Sequence, residues 1–150
     1  MSEITSQQLV VFSLGCEEYA LPIAAVHEII RFSEPRSVAS EVPWIRGVIG
    51  LRGKIIPVFD LAARLQLAGS GTDPGKIVIL ETGGGQVGVM VDEVEGVLTV
   101  GSGQLEPVPA ASPDTIEAIA KIDDRLVILL NPEGLFAVAP AADDLAAAAA

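Results

Sequence analysis

The chain has 150 residues, half of them apolar, and a formal net charge of −11. That material suffices for one ordinary domain or two small lobes sharing a core, while the acidity argues against nucleic acid and anionic membrane, which demand a cationic face. One cysteine and one histidine exclude an internal disulfide and leave the usual metal and nucleophile–base sites unassembled.

Residues 1–8 read as a polar tail without the basic-then-apolar pattern of a secretory leader. No apolar run approaches the roughly 20 residues needed to cross a bilayer, so the expectation is a soluble cytoplasmic protein. Leu9–Leu14 and Tyr19–Ile23 read as strands about the turn Gly15-Cys-Glu-Glu18, with Cys16 a small turn residue. Ala24–Ile30 fits either a helix with Val26, Ile29 and Ile30 on one face or a turn followed by a strand. Pro35 and Pro43 bracket a loop. Val48–Leu51 and Ile55–Phe59 are strands about Arg52-Gly53-Lys54, and Pro57 demands an edge or a position asking for no ladder donor. Asp60 caps a helix over Leu61–Leu67.

Residues 68–75 are a Gly/Ser-bearing connector. Ile77–Glu81 and Gln86–Val91 form a hairpin over Gly83-Gly84-Gly85, and Val94–Val100 is a further strand. A Gly/Pro-rich loop follows over 101–113, and Asp114–Ala120 reads as one or two helical turns. Lys121-Ile122 and Leu126–Leu130 make the last hairpin over Asp123-Asp124-Arg125. Asn131 and Pro132 open a short helix to Phe136, and 137–150 is an Ala-rich tail.

The halves match. Val10 and Leu21 correspond to Val78 and Val89 at a separation of 68 residues, and Gly53 and Asp60 correspond to Asp124 and Asn131 at a separation of 71. The first repeat spans about 9–67 and the second about 76–136. Short strands with Gly-bearing turns point to small barrels, one lobe per repeat.

Fragments that suggest catalysis fail on spacing. Gly47…Gly53-Lys54 has five residues between its glycines, one too many for a phosphate loop, and Ile55 follows the lysine. His27-Glu28 lacks the second histidine of a zinc-protease helix, because position 31 is arginine. Asp92, Glu93 and Glu95 read as a solvated face or as hard ligands for a divalent ion. A binding module remains. Gly47 and Gly53 suit positions that exclude a side chain. Arg52 offers a planar fork to a carboxylate or carbonyl, or braces its own lobe through Asp60 or Asp92. Val26, Ile29, Ile30 and Val97 are apolar at matched points of the two repeats, serving the core or lining a groove for a partner helix.

Five blocks carry a resemblance. They are Val11-Phe-Ser-Leu-Gly with Glu18-Tyr-Ala-Leu-Pro-Ile; Val26-His-Glu-Ile-Ile-Arg; Gly47-Val-Ile-Gly-Leu-Arg-Gly-Lys-Ile-Ile-Pro-Val-Phe-Asp-Leu; Val87-Gly-Val-Met-Val-Asp-Glu-Val; and Ile122-Asp-Asp-Arg-Leu-Val-Ile-Leu-Leu-Asn. Across about residues 9–136 the chain resembles the CheW family of chemotaxis coupling proteins. It departs at Gly50, where family members usually carry asparagine, and in the small residues near Pro109-Ala-Ala. The resemblance implies a mainly β fold of two SH3-like five-stranded barrels around a shared hydrophobic core, with a few short helices. It implies no catalysis and no cofactor or metal. Its partners would be the regulatory domain of the histidine kinase CheA and the cytoplasmic tip of chemoreceptors, at membrane-associated arrays without membrane insertion. Carried over residue by residue, the receptor-facing set is Val26, Glu28, Gly47, Arg52 and Val97. The kinase-facing set is Ile30, Val42 and Ile45, with Glu106, Ala110 and Ala111 as a second barrel contact. Alternatives are an adaptor of a non-flagellar array, such as one for twitching motility, or a small-molecule or ion sensor.

Overall fold

The computed structural model describes residues 6–15, 17–37, 44–65, 74–82, 85–107 and 115–135. Cys16, Val42, Pro43, Gly83, Gly84, Ala110, Ala111, Phe136, the inner part of the connector and the Ala-rich end lie outside the described residues. The strands are β1 (Ser6–Leu14), β2 (Glu17–Pro22), β3 (Val26–Arg31), β4 (Ile45–Leu51), β5 (Lys54–Asp60), β6 (Lys76–Thr82), β7 (Gly85–Val91), β8 (Glu93–Gly101), β9 (Leu105–Glu106), β10 (Ile116–Ile122) and β11 (Arg125–Leu130). Two one-turn helices, α1 (Leu61–Arg64) and α2 (Pro132–Leu135), follow β5 and β11.

Period-2 alternation places the core. In β1, Leu9 and Val11 face one way, into a cluster with Ala20, Val100, Ala120, Val127 and Leu129, while Phe12 and Leu14 face the other. That cluster fills the sheet ordered β8-β1-β2-β11-β10-β9, here sheet I. Ile49, Ile56, Val58, Ile77, Ile79 and Met90 fill sheet II, ordered β3-β6-β7-β5-β4. Between the sheets a third cluster draws Phe12, Tyr19 and Leu21 from one and Phe59, Leu80 and Val89 from the other. The architecture is two SH3-like lobes around a shared core, with β9 a two-residue sixth strand on sheet I. Among the described residues no polar or charged one is buried.

The duplication is visible in three dimensions. Replacing each strand by its repeat partner (β1 by β6, β2 by β7, β3 by β8, β4 by β10, β5 by β11) converts the order of sheet II into β8-β1-β2-β11-β10. Even the irregularities recur. One extra residue bulges at His27 in β3 and at its counterpart Glu95 in β8, and again at Arg46 in β4 and Glu117 in β10. Asp60 N–H donates to Trp44 O (2.7 Å), as Asn131 N–H does to Thr115 O (3.0 Å).

The lobes, however, are not one per repeat. Sheet II takes β3, β4 and β5 from the first half but its central hairpin, β6–β7, from the second, and sheet I borrows β1–β2 in return. The joints are parallel pairings, Val58 beside Gly88 and Leu129 beside Ala20, at equivalent positions of the two lobes. Exchange is permitted because both front hairpins present the same apolar pattern, so either satisfies either barrel. Packing is then tuned locally. Ile49, Ile56 and Ile79 stand where sheet I has Ala120, Val127 and Val11. Gly88, the counterpart of Ala20, has no room for a methyl group: a Cβ would lie 2.9 Å from Ile77 Cγ2 and 3.4 Å from Ile79 Cδ1.

Other expectations are corrected or resolved. Asp114–Ala120 is not helical where described: β10 begins at Ile116, with Ala118 and Ala120 alternating inward between β11 and β9. Pairing on both sides overrides a weak helical pattern. Ser6–Gln8 belong to β1 rather than to a tail, paired with Gly101–Thr99. Ala24–Ile30 resolves into a 3-10 turn, Ile23–Ala25, and then strand β3. Pro57 lies inside a sheet, between β4 and β7. Leu51 and Lys54 close a two-residue hairpin, so Val48 and Pro57 form a non-hydrogen-bonded pair and the missing N–H faces β7. There the ladder starts only at Val58. Asp60 Oδ1 caps α1 by accepting from Ala63 N–H at 3.2 Å.

Gly47 is a packing necessity. A Cβ there would lie 2.1 Å from Arg36 O, on the segment whose N–H and C=O both bond Val48 at 2.8 Å. Gly47→Ala should cost about 1–3 kcal/mol in denaturant unfolding followed by Trp44 fluorescence. Gly50→Ala on the same strand, where a Cβ meets nothing within 4 Å, should leave the midpoint unchanged or slightly raised. Equal losses would contradict this account.

Across the parallel joint of sheet I, the Arg125 guanidinium grips Glu18 with two bonds of 3.1 and 2.7 Å. The hydrogen bond from Arg125, with its charge, holds the Glu18 carboxyl below the usual carboxylate range against a smaller opposing effect of burial. The unfolded chain therefore binds the proton first as pH falls, and this stabilisation, present at neutral pH, is lost through the depressed folded value. Below about pH 4 the wild-type melting temperature should fall more steeply than that of Glu18→Gln; parallel acid limbs would contradict the assignment.

Candidate docking site

The turn between β4 and β5 has two central residues, both with positive φ, Arg52 at 52° and Gly53 at 79°. Two such residues match the right-handed twist of the flanking strands. Glycine adopts this freely, whereas arginine pays roughly 1–2 kcal/mol. The conformation is intrinsic to the fold, because Arg52's counterpart Asp123 has φ 53°. At this tip the Arg52 guanidinium donates to Glu28 Oε1 on β3. The brace is thus Glu28, not Asp60 or Asp92. Asp60 caps α1, and Asp92 Oδ2 accepts from Gly15 N–H at 2.9 Å.

Arg52's hydrogen bond, more than its charge, holds the Glu28 carboxyl below its ordinary range, and the same bond raises the guanidinium value. The Arg52 side chain stays 69% exposed while that of Glu28 is 20% exposed. A carboxylate of the protein orients the fork, and its remaining donors face solvent. His27 stands between two carboxylates, Nε2 at 3.8 Å from Glu28 Oε1 and Nδ1 at 3.6 Å from Glu81 Oε2. Together with Leu51, Lys54 and Gln86 these residues line a hollow of about 200 Å³ at one end of the second lobe.

A larger hollow of about 460 Å³ lies on sheet I beside the Ile23–Ala25 turn, lined by Ser6, Gln7, Gln8, Pro22, Ile23, Ala24 and Thr99. Val97, 51% exposed, is two residues from Thr99 on β8, the edge strand of sheet I. Val26 follows directly on the Ile23–Ala25 turn and starts β3, the edge strand of sheet II. Val97 and Thr99 share a face of β8, so the larger hollow has an exposed apolar residue beside it, while the smaller one holds the guanidinium. Such a pairing suits an amphipathic helix with a carboxylate beside its apolar stripe. Gly47 lines neither hollow; it faces Arg36 on the β4 edge.

The second residue set is less exposed. Ile30 packs towards the interior of the second lobe and Ile45 against the shared core, both partly buried. Glu106 is exposed on β9, its Oε1 3.2 Å from Lys121 Nζ. Sequence reasoning missed the exposure of Ile23, Ile55 and Leu126, because an alternating strand pattern tells which face a residue takes and not whether that face is covered. Among the described residues no group of three or more His, Cys, Asp or Glu could hold a metal ion. No helix among them is long and apolar enough to cross a membrane.

Relatives of this chain are known. A family model described as a CheW-like domain matches residues 8–139. The chemotaxis protein CheW of Bacillus subtilis is 36% identical over 132 residues, covering 85% of this chain and 85% of that protein. CheW of Klebsiella aerogenes is 32% identical over 138 residues, covering 89% and 83%. The solved scaffolding protein TtCheW from Thermoanaerobacter tengcongensis superposes with a TM-score of 0.81 at 35% identity, over 88% of this chain and 93% of that one. A duplicated barrel with exchanged hairpins, an Arg-Gly hairpin tip and a domain match over most of its length place this chain in the CheW family of chemotaxis scaffold proteins.

Proposed function

We propose that the chain is a non-catalytic coupling scaffold, cytoplasmic and resident at receptor arrays, that joins the signalling tip of chemoreceptors to the regulatory domain of a CheA-type histidine kinase. The family match over residues 8–139 carries this reading. The geometry supports it: the exposed chemistry is a hollow of mixed polarity on sheet I, with Val97 exposed nearby on β8, and a guanidinium held at a hairpin tip.

In this reading Val26 and Val97 flank the hollow that takes the apolar stripe of a receptor helix. Arg52, preorganised by Glu28, takes a carboxylate or a helix-terminal carbonyl. Gly47 contributes by letting the Arg36 segment lie flat against β4, so its effect on docking is indirect. The kinase-side set is Ile30, Val42 and Ile45, with Glu106, Ala110 and Ala111 as a second barrel contact. A scaffold with two faces passes a signal by holding both partners at fixed relative positions, which the shared core between the sheets provides.

Arg52→Ala and Val97→Asp replace exposed side chains and should leave the melting temperature within about 2 °C of wild type. In an assay reconstituted from receptor, kinase and this chain, both should remove most receptor-dependent kinase activation. Full activation by either folded variant would overturn the placement of the receptor face.

A further inference from the structure

His27 is the one histidine of the chain, and the coupling reading gives it no part. A bulge at this residue shifts the register of β3 between Val26 and Glu28. The shift turns the adjacent side chains of His27 and Glu28 into the same hollow. Two nitrogen-bearing groups then meet one oxygen there. The Arg52 guanidinium donates to Glu28 Oε1, and His27 Nε2 stands 3.8 Å from that same atom. On its other side, His27 Nδ1 is 3.6 Å from Glu81 Oε2 on β6. The remaining charge lining the hollow is Lys54 of β5, while Leu51 of β4 and Gln86 of β7 carry none. Arg31 and Lys76 face each other at the far end of the β3–β6 ladder. With His27 neutral, Glu28 and Glu81 stand against Arg52 and Lys54, and the charges of the hollow balance. The equivalent residues of the other lobe are Glu95, Gly96 and Asp123, so the arrangement belongs to one lobe alone.

We propose that a proton taken up by His27 loosens Arg52 from Glu28, so that the β4–β5 tip is braced above neutral pH and released below it. Histidine is the side chain whose charge ordinarily changes between about pH 5 and 8. An imidazolium attracts both Glu28 and Glu81 and repels the guanidinium that shares Glu28 Oε1 with it. Of the two cations, Arg52 is the one that yields. It is the more exposed, sits on a hairpin tip, and has Glu28 as its sole carboxylate among the described residues. His27 is fixed on a strand between two carboxylates. Glu28 stays an anion throughout, because the Arg52 hydrogen bond foremost, and the His27 charge to a smaller degree, hold its carboxyl below the ordinary range. The consequence for docking rests on the coupling reading: a loosened Arg52 loses more rotational freedom when it takes a carboxylate, so receptor binding weakens as pH falls.

Carbon-detected NMR of the full chain reads the brace without any partner, through the rate at which the Arg52 guanidinium rotates about its Nε–Cζ bond. The Arg52 signal is identified by its loss in Arg52→Lys. Between about pH 7.5 and about pH 5.5 the wild-type rate should rise at least about threefold, the size expected for losing one exposed ion pair. In His27→Gln, whose side chain takes no proton, the rate should be equal at the two pH values. An unchanged melting temperature would verify the fold of that variant. Binding of a receptor signalling-tip fragment, measured under the same two conditions, should weaken at least about threefold for the wild type and stay constant for His27→Gln. A wild-type rate that ignores pH, or a rise that persists in His27→Gln, would overturn the proposal. Fragment binding that stays constant while rotation changes would overturn the effect on docking. No fragment binding at any pH would count against the coupling reading instead, with the rotation rate still deciding the role of His27.

Discussion

The parallel joints between the halves are the constraint from which the rest of the molecule follows. Val58 beside Gly88 and Leu129 beside Ala20 are where a hairpin from one half enters the sheet of the other. Neither barrel can close on the strands of one repeat, so neither half has a complete core. Folding the first lobe therefore requires the second, and the cluster of Phe12, Leu21, Phe59, Leu80, Val89 and Leu130 between the sheets forms only when both are in place. Pairings of such long sequence separation carry a high loop-closure cost before they are rewarded. What results is a rigid body with two lobes fixed relative to each other, the mechanical property a coupling scaffold needs.

Duplication also explains how one small chain acquires distinct faces. The backbone is repeated down to its bulges and the positive φ of Arg52 and Asp123. Because the shape is fixed by apolar alternation within the sheets, exposed positions are free to diverge. At the first tip divergence produced a guanidinium braced by Glu28; at the second it produced two carboxylates. The Glu18–Arg125 pair shows the same freedom, since the equivalent positions in the other lobe are Gln86 and Lys54 and form no ion pair.

In the coupling role proposed above, function is a matter of position rather than reactivity. The charged groups at the candidate site are exposed or half-exposed, and what the fold contributes is their fixed geometry. Arg52 is held at a tight turn by strand twist and by one carboxylate, which removes the rotational freedom a long side chain otherwise loses on binding. Gly47 shows how a residue without a side chain shapes a surface, by letting the Arg36 segment lie close.

Read alone, the sequence determined the class, the duplication and most elements. Alternation of Val, Ile and Leu fixes strands locally, Gly53 marks the tight turn, Asp60 marks the start of a helix, and the ordered blocks carry the family. It also determined Arg52 and Val97 as candidates, because residue type and repeat matching are local properties. Tertiary structure decided which strand pairs with which. The two front hairpins have the same pattern, so no local signal distinguishes pairing within a repeat from exchange between repeats. For the same reason Glu28, rather than Asp60 or Asp92, emerged as the partner of Arg52 only once β3 had found β6. The strand at Ile116–Ile122 needed neighbours on both sides to override its helical reading. Exposure of Ile55 and Leu126 was likewise decided by packing, since burial depends on what covers a face and not on which face a residue takes.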